Sequence, residues 1–206
     1  MENKKVDFLS RALEVYMRFG IKSVTMDELA RQLGISKKTI YTFVKDKNDL
    51  VTQCVKLEQE IVNSGIQKIA NDEKNAIDEL FKVGELVAQR LRSVHPSIFF
   101  DMQRYHPEAY EIMNESRREL IRVNITANLK KGKEQGYYRD DINEDIISKM
   151  YIALIDVLFN GDVFPISEYS FIEVYSESFN YHMRGIASSN GLKYLEKIMK
   201  NKIFNI

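Results

Sequence analysis

The chain has 206 residues, 44% of them apolar, with one cysteine and a formal net charge of zero. This composition supports a packed core and excludes a chain left disordered by its polarity, while electroneutrality argues against a protein that coats nucleic acid indiscriminately. Cys54 alone builds neither an intrachain disulfide framework nor a CxxC zinc site.

No apolar run approaches the roughly 18 residues of a membrane span, and the N-terminal MENKKVDFLSRALEV lacks the apolar stretch of a signal peptide. A soluble, cytoplasmic protein without a cofactor is expected. The charge is unevenly spread. Residues 1–50 carry ten Lys and Arg against seven Asp and Glu, and within 31–47 Arg31, Lys37, Lys38, Lys45 and Lys47 are opposed only by Asp46. A confined basic patch on a neutral chain implies a local phosphate contact.

Apolar spacing follows the helical period almost everywhere and strand signals are nearly absent, so the predicted fold is all-α. A first helix carries Phe8, Ala12, Val15 and Phe19 on one stripe, with Gly20 as its left-handed C-terminal cap. Thr25-Met26-Asp27-Glu28 fits a capping box, the Thr25 hydroxyl accepting from the Glu28 amide and the Glu28 carboxylate reaching back. Leu29, Ala30 and Leu33 face inward on this second helix, and Gly34 permits the turn that follows. Ser36 caps a third helix of about two turns, with Ile40 and Val44 inward. Asp46 caps a fourth, whose stripe of Leu50, Cys54, Leu57 and Ile61 fades near Asn71-Asp72.

A fifth helix is predicted over Ala76–Ser93, broken at His95-Pro96, then a short one over Ile98–Arg104, broken at His106-Pro107. Pro107 suits the first turn of a long helix to Gln135, closed by Gly136 with Lys130, Lys131 and Lys133 in its last turns. Further helices are predicted over Glu144–Phe159, Ser167–Ala187 and Leu192–Lys200.

The chemistry is concentrated between Thr25 and Leu50. Two short capped helices joined by a Gly-containing turn, the second one basic, define a helix-turn-helix unit. Ser36 sets backbone amides and a positive dipole end at the front of the third helix, and Lys37 and Lys38 add charge in the same turn. Thr39, Tyr41 and Thr42 have the size and polarity to reach base edges, thymine methyls or phosphate oxygens. Lys47 would hold the flanking backbone, and Thr25 the backbone on the other side.

The run Gly20…Thr25-Met26-Asp27-Glu28-Leu29-Ala30…Gly34-Ile35-Ser36-Lys37-Lys38-Thr39-Ile40-Tyr41-Thr42-Phe43…Lys47…Leu50 resembles the DNA-binding signature of the tetracycline-repressor (TetR/AcrR) family. The likeness covers about residues 6–52. One position departs: the family usually has Phe where Val44 stands, which implies looser packing of the third helix on the first. The resemblance implies a helix-turn-helix DNA-binding domain over residues 1–47 and a helical ligand-binding and dimerisation domain over 48–206. It further implies a homodimer on a near-palindromic double-stranded operator, most simply as a repressor released by a small molecule, with the fourth helix as the lever.

For the second domain the residues themselves are the guide. The Glu144–Phe159 helix is apolar almost all round, so burial by a partner subunit is expected, through Tyr151, Ile155 and Leu158 and, from the next helix, Phe171, Tyr175 and Phe179. Met102, Tyr105, Tyr110 and Met113 cluster around the Pro107 break, with Gln103, Asn124 and Asp156 as polar residues in apolar neighbourhoods; these seven are the candidate ligand contacts for a largely apolar molecule. Asp156 also suits a cap or a pair across the dimer. His95, His106 and His182, with Asp101 and Glu108, fit no metal template, and Cys54 reads as an inert core thiol. Two rival readings are a DNA-binding dimer without ligand, controlled by a protein partner, and an all-helical enzyme. The enzyme has no nucleophile elbow, Gly-rich phosphate loop or paired acid–base motif to support it.

Overall fold

The computed structural model describes residues 2–165 and 167–201, and among these the regular secondary structure is all helix, joined by turns and loops, with one isolated bridge between Tyr138 and Ala187. The all-α expectation holds. The helices are α1 (Glu2–Phe19), α2 (Met26–Leu33), α3 (Lys37–Ile40), α4 (Lys47–Asp72), α5 (Ala76–Ser93), α6 (Ile98–Tyr105), α7 (Pro107–Glu134), α8 (Glu144–Leu158), α9 (Phe171–Ile186) and α10 (Ser189–Asn201). No helix among the described residues is long and apolar enough to cross a membrane.

Two compact units divide the chain. The first comprises residues 1–63 with 93–117, and the second 64–92 with 118–206; the last five residues lie outside those described. The expected functional boundary at 47/48 falls inside the first unit, at the start of α4. The reason is packing: Leu50, Val51, Cys54 and Val55 of α4 complete the same core as α1 and α2.

In the first unit, Phe8, Leu9, Ala12 and Tyr16 of α1 meet Leu29, Ala30 and Leu33 of α2, with Ile40, Leu50 and Met102 enclosed. Side chains as fully buried as Leu29, Ile40 and Leu50 each contribute about 2 kcal/mol. The buried stripe of α1 therefore differs from the predicted one: Tyr16 is inside, Val15 is half-buried and Phe19 is exposed beside the Arg18 guanidinium. Gly20 closes α1 with φ +80°, as expected of a left-handed cap.

In the second unit, Ile77, Leu80 and Phe81 of α5 pack with Ile125 and Leu129 of α7, Tyr151, Ile155 and Leu158 of α8, and Val174, Tyr175, Phe179 and Met183 of α9. A buried polar network ties α5 to α7. Asn128 donates to the Ala76 carbonyl and the Glu79 carboxylate, Tyr138 donates to Asn128, and Lys131 pairs with Glu79. The predicted last long helix starts four residues late, at Phe171, because Ser170 and Glu173 form a reciprocal capping box there. α10 likewise begins at Ser189 rather than Leu192, with the Ser188 hydroxyl accepting from the Gly191 amide.

Candidate nucleic-acid interface

The module from Thr25 to Leu50 is assembled almost wholly from caps. The Thr25 hydroxyl accepts from the Glu28 amide at 3.1 Å, and Gly34 ends α2 with φ +67°, its amide donating back to the Ala30 and Arg31 carbonyls. The reciprocal half of the predicted capping box is absent. The Glu28 carboxylate turns forward to Arg31 and Gln32, one helical turn on, and these hydrogen bonds hold its pKa down. A short α2 with Arg31 in its last turn offers that carboxylate a cation, which the Thr25 amide does not.

The Ser36 Oγ caps α3, accepting from the Thr39 amide at 3.0 Å and lying 2.8 Å from the Thr39 hydroxyl. α3 is shorter than the two turns predicted. After Ile40 the backbone tightens, the Thr42 amide donating to the Thr39 carbonyl and the Phe43 amide to the Ile40 carbonyl. The Thr42 hydroxyl also donates to the Thr39 carbonyl at 2.6 Å, the local competition that makes Thr a poor helix interior. The Asp46 carboxylate caps α4 through the Asp49 amide at 2.9 Å, as expected. Val44, where the resemblance carries Phe, is buried all the same, and the neighbouring Phe43 ring stacks on Phe8 at 5.0 Å. That ring supplies the contact with α1.

The residues predicted to read DNA divide by what they already touch. Lys38, Tyr41 and Thr42 are exposed, Tyr41 to 45%. Lys37 is exposed but pairs with Asp27 at 2.9 Å, which raises its pKa and sets the start of α3 against α2. Lys47 is half-buried, and its ammonium donates to the Ile21 carbonyl at 2.7 Å. Burial lowers its pKa, opposed by the Asp101 carboxylate. One of its three donors thus serves the α1–α2 loop, a role that its sequence position did not reveal.

The segment 95–106 is bonded to the same loop. The His95 amide donates to the Met17 carbonyl at 2.7 Å, and the buried Asp101 carboxylate accepts from the Lys22 amide at 2.9 Å and the Ser97 hydroxyl at 3.2 Å. His106 places Nδ1 2.6 Å from Asn48 Oδ1 at the start of α4. Burial lowers the His106 pKa, as does the Lys47 ammonium, while Asp101 and Asp46 pull the other way. His95 and His106 are hydrogen-bonded turn elements. Cys54 is a core thiol, pushed up to about 12 by burial.

The candidate ligand contacts fall in both units. Met102 is in the core of the first unit, Tyr110 and Met113 pack against it, Gln103 is exposed, and Tyr105 lies under the Lys22 ammonium at 4.9 Å. Asn124 and Asp156 belong to the second unit. Asn124 donates to the Leu120 carbonyl of its own helix, and Asp156 accepts from Arg118 at 2.8 Å within the chain. That pair answers the sequence's question of how Asp156 is compensated.

Most of the dimer candidates lie inside the second unit. Tyr151, Ile155, Leu158, Tyr175 and Phe179 face their own core, and Phe171 is half-buried beside Phe159. The apolar residues that α8 leaves at the surface are Ile146, Met150, Ala153 and Val157, with Met150 62% exposed; Tyr181 on α9 is 78% exposed. Those four α8 positions recur at the spacing of a helix-packing seam, a signal present in the sequence but masked by an equally apolar inner face.

Comparison with known proteins bears on the same segments. Residues 8–54 match the family described as bacterial regulatory proteins, tetR family. The HTH-type transcriptional regulator YvaF of Bacillus subtilis strain 168 is 28% identical over 145 residues, spanning 68% of this chain and 73% of that protein. A transcriptional regulator from Saccharomonospora viridis, solved in complex with choline, has a similar fold (TM-score 0.71, 18% identity, 91% of this chain and 100% of that one). So does a TetR-family regulator from Agrobacterium tumefaciens (TM-score 0.71, 15% identity, the same coverages). The capped helix-turn-helix and the matched segment agree: residues 8–54 carry the N-terminal segment of the tetR family of bacterial regulatory proteins, and the all-helical architecture is similar to that of solved TetR-family regulators.

Proposed function

We propose that the protein is a cytoplasmic, non-enzymatic repressor that binds a near-palindromic operator as a homodimer and is released by a small molecule. The functional division is a DNA-binding domain over 1–47 and a ligand-binding and dimerisation domain over 48–206. The observation that carries this reading is the exposed edge of the helix-turn-helix, where Lys38, Tyr41 and Thr42 project beyond a scaffold already satisfied by its own caps. Thr25, Ser36, Lys37, Thr39 and Lys47 flank that edge as backbone-positioning groups, Lys37 and Lys47 each with intramolecular partners to share.

Dimerisation is supported by the exposed apolar stripe Ile146, Met150, Ala153 and Val157, since such a seam on a charged surface calls for a partner. Two copies would set the recognition helices about 34–36 Å apart, one turn of DNA. A small-molecule effector is supported by the choline bound in the Saccharomonospora viridis structure. Such an effector acts by its differential affinity for two conformers.

The test is binding to the DNA flanking the protein's own gene, followed by fluorescence anisotropy. Tyr41→Ala and Thr42→Ala are expected to weaken specific binding, each by about 1–3 kcal/mol, and Lys38→Ala to weaken all sequences alike and lower the salt slope by about one. Specific affinity that survives both Tyr41→Ala and Thr42→Ala refutes this recognition surface.

A further inference from the structure

The second unit holds a polar group that neither its packing nor the DNA-binding module uses. His182 on α9 is 8% exposed, and its ring centroid lies 4.2 Å from that of Tyr151 on α8. Its Nε2 is buried and has no hydrogen-bond partner among the described residues. Leaving such an atom unpaired costs about 1–3 kcal/mol, which an apolar ring at the same position avoids.

The surroundings say what kind of partner would fit. The Tyr151 and Tyr175 hydroxyls hydrogen-bond each other, and that bond uses only one of their two hydrogens. One O–H is therefore left in a cluster whose Tyr151 ring packs on the His182 imidazole at 4.2 Å. The Tyr175 ring leans on Phe179, which meets Phe81 edge-on at 5.4 Å. At Gly84 on α5 a Cβ would stand 3.0 Å from the Phe179 ring, so the helix yields its side-chain space to that ring. Among the described residues no carboxylate, ammonium or guanidinium acts on His182, Tyr151 or Tyr175; burial lowers His182 to about 4 and raises Tyr151 against the hydrogen bond from Tyr175, while burial and the Tyr151 hydroxyl together raise Tyr175. The imidazole is thus neutral near pH 7, with one N–H and one lone-pair nitrogen.

We infer that Tyr151, Tyr175 and His182 are the polar reading point of the effector site, and that the effector is an uncharged, largely apolar molecule carrying a hydroxyl or carbonyl oxygen. An oxygen of that kind pairs with the free O–H and the imidazole together, while the aromatic rings take the apolar remainder. An ion entering the cluster loses its water and meets no counter-charge. This inference rests on the ligand-responsive reading above and adds its chemical class and contacts.

A matched series of ten-carbon probes tests it: 1-decanol and 2-decanone as neutral heads, decanoate and decyltrimethylammonium as charged ones. Binding to the full-length protein is measured by thermal shift, and the imidazole nitrogens of His182 by NMR. The neutral probes are expected to bind at least about tenfold more tightly than either ion, and to move the His182 Nε2 resonance. His182→Phe should fold and lose about tenfold in that affinity, and His182→Gln should recover part of it. Tighter binding of either ion, no binding of the neutral probes, or unchanged binding by His182→Phe overturns the assignment. Operator binding is measured separately. A protein that binds the neutral probes through His182 without releasing DNA keeps this inference and loses the repressor reading.

Discussion

The helix-turn-helix and the second unit are both helical, yet they are held by interactions of different range. From Thr25 to Asp49 each helix start is closed by a residue three positions away: Thr25 with Glu28, Ser36 with Thr39, Asp46 with Asp49. In the second unit the polar ties run between remote segments, Asn128 to the Ala76 carbonyl across 52 residues and Tyr138 to the same carbonyl across 62. The glycines divide likewise. Gly34 is required by its own backbone, with φ +67° and no atom within 4 Å of an added Cβ, whereas an added Cβ on Gly132 would lie 2.0 Å from the Tyr138 ring. Local chemistry closes each helix start of the helix-turn-helix, and a few longer ties, such as Asp101 to the Lys22 amide, steady its loop. Long-range packing builds the interior of the second unit.

The largest effect expected of this contrast is at Gly132. Gly132→Ala forces the wholly buried Tyr138 off Asn128 and the Ala76 carbonyl and should cost about 3 kcal/mol or more in urea unfolding. Gly34→Ala, strained only in its backbone, should cost about 1–2 kcal/mol. Equal losses at the two sites would erase the distinction.

His182 gives an effect nearly as large, in the second unit only. Its folded pKa of about 4 stands below the ordinary value of 6.5, so the unfolded chain binds the proton first. The contribution is intact above pH 6.5 and drains away as the pH falls to about 4, by at most about 3 kcal/mol. His182→Phe should flatten the stability profile in that interval relative to the unaltered protein. A profile of unchanged slope would mean that the imidazole titrates freely in the fold.

The smallest effects sharpen the first half of the comparison. Thr25→Ala and Ser36→Ala should each cost about 1 kcal/mol, the worth of an N-cap. Glu28→Ala should cost only a few tenths, because its carboxylate serves exposed partners on its own helix. A Glu28→Ala loss matching that of Thr25→Ala would restore the full capping box, and thermal unfolding distinguishes the two.

The sequence was most legible where the cause was local. Capping residues, breaking prolines and left-handed glycines place most helix ends within a few residues of their observed positions, since each signal acts over one turn. It was misleading wherever two faces were equally apolar. In α8, Tyr151, Ile155 and Leu158 are indistinguishable by residue type from Ile146, Met150 and Val157, yet the first set is buried and the second exposed. Helical period alone leaves the rotation of such a helix open, because either face satisfies the pattern. Lys47 was half legible for a related reason: its charge was visible, but not the Ile21 carbonyl that the α1–α2 loop brings to it.

By itself, then, the sequence determined the helical architecture, the caps and turn of the DNA-binding module and the family signature, all consequences of forces between residues close in the chain. Tertiary structure alone decided which face of α8 looks outward, that Asp156 is answered by Arg118, and that His182 is enclosed with Tyr151 beside it. Those outcomes depend on which distant segments share a core, and burial is settled by the neighbours a side chain meets, not by the residues on either side of it.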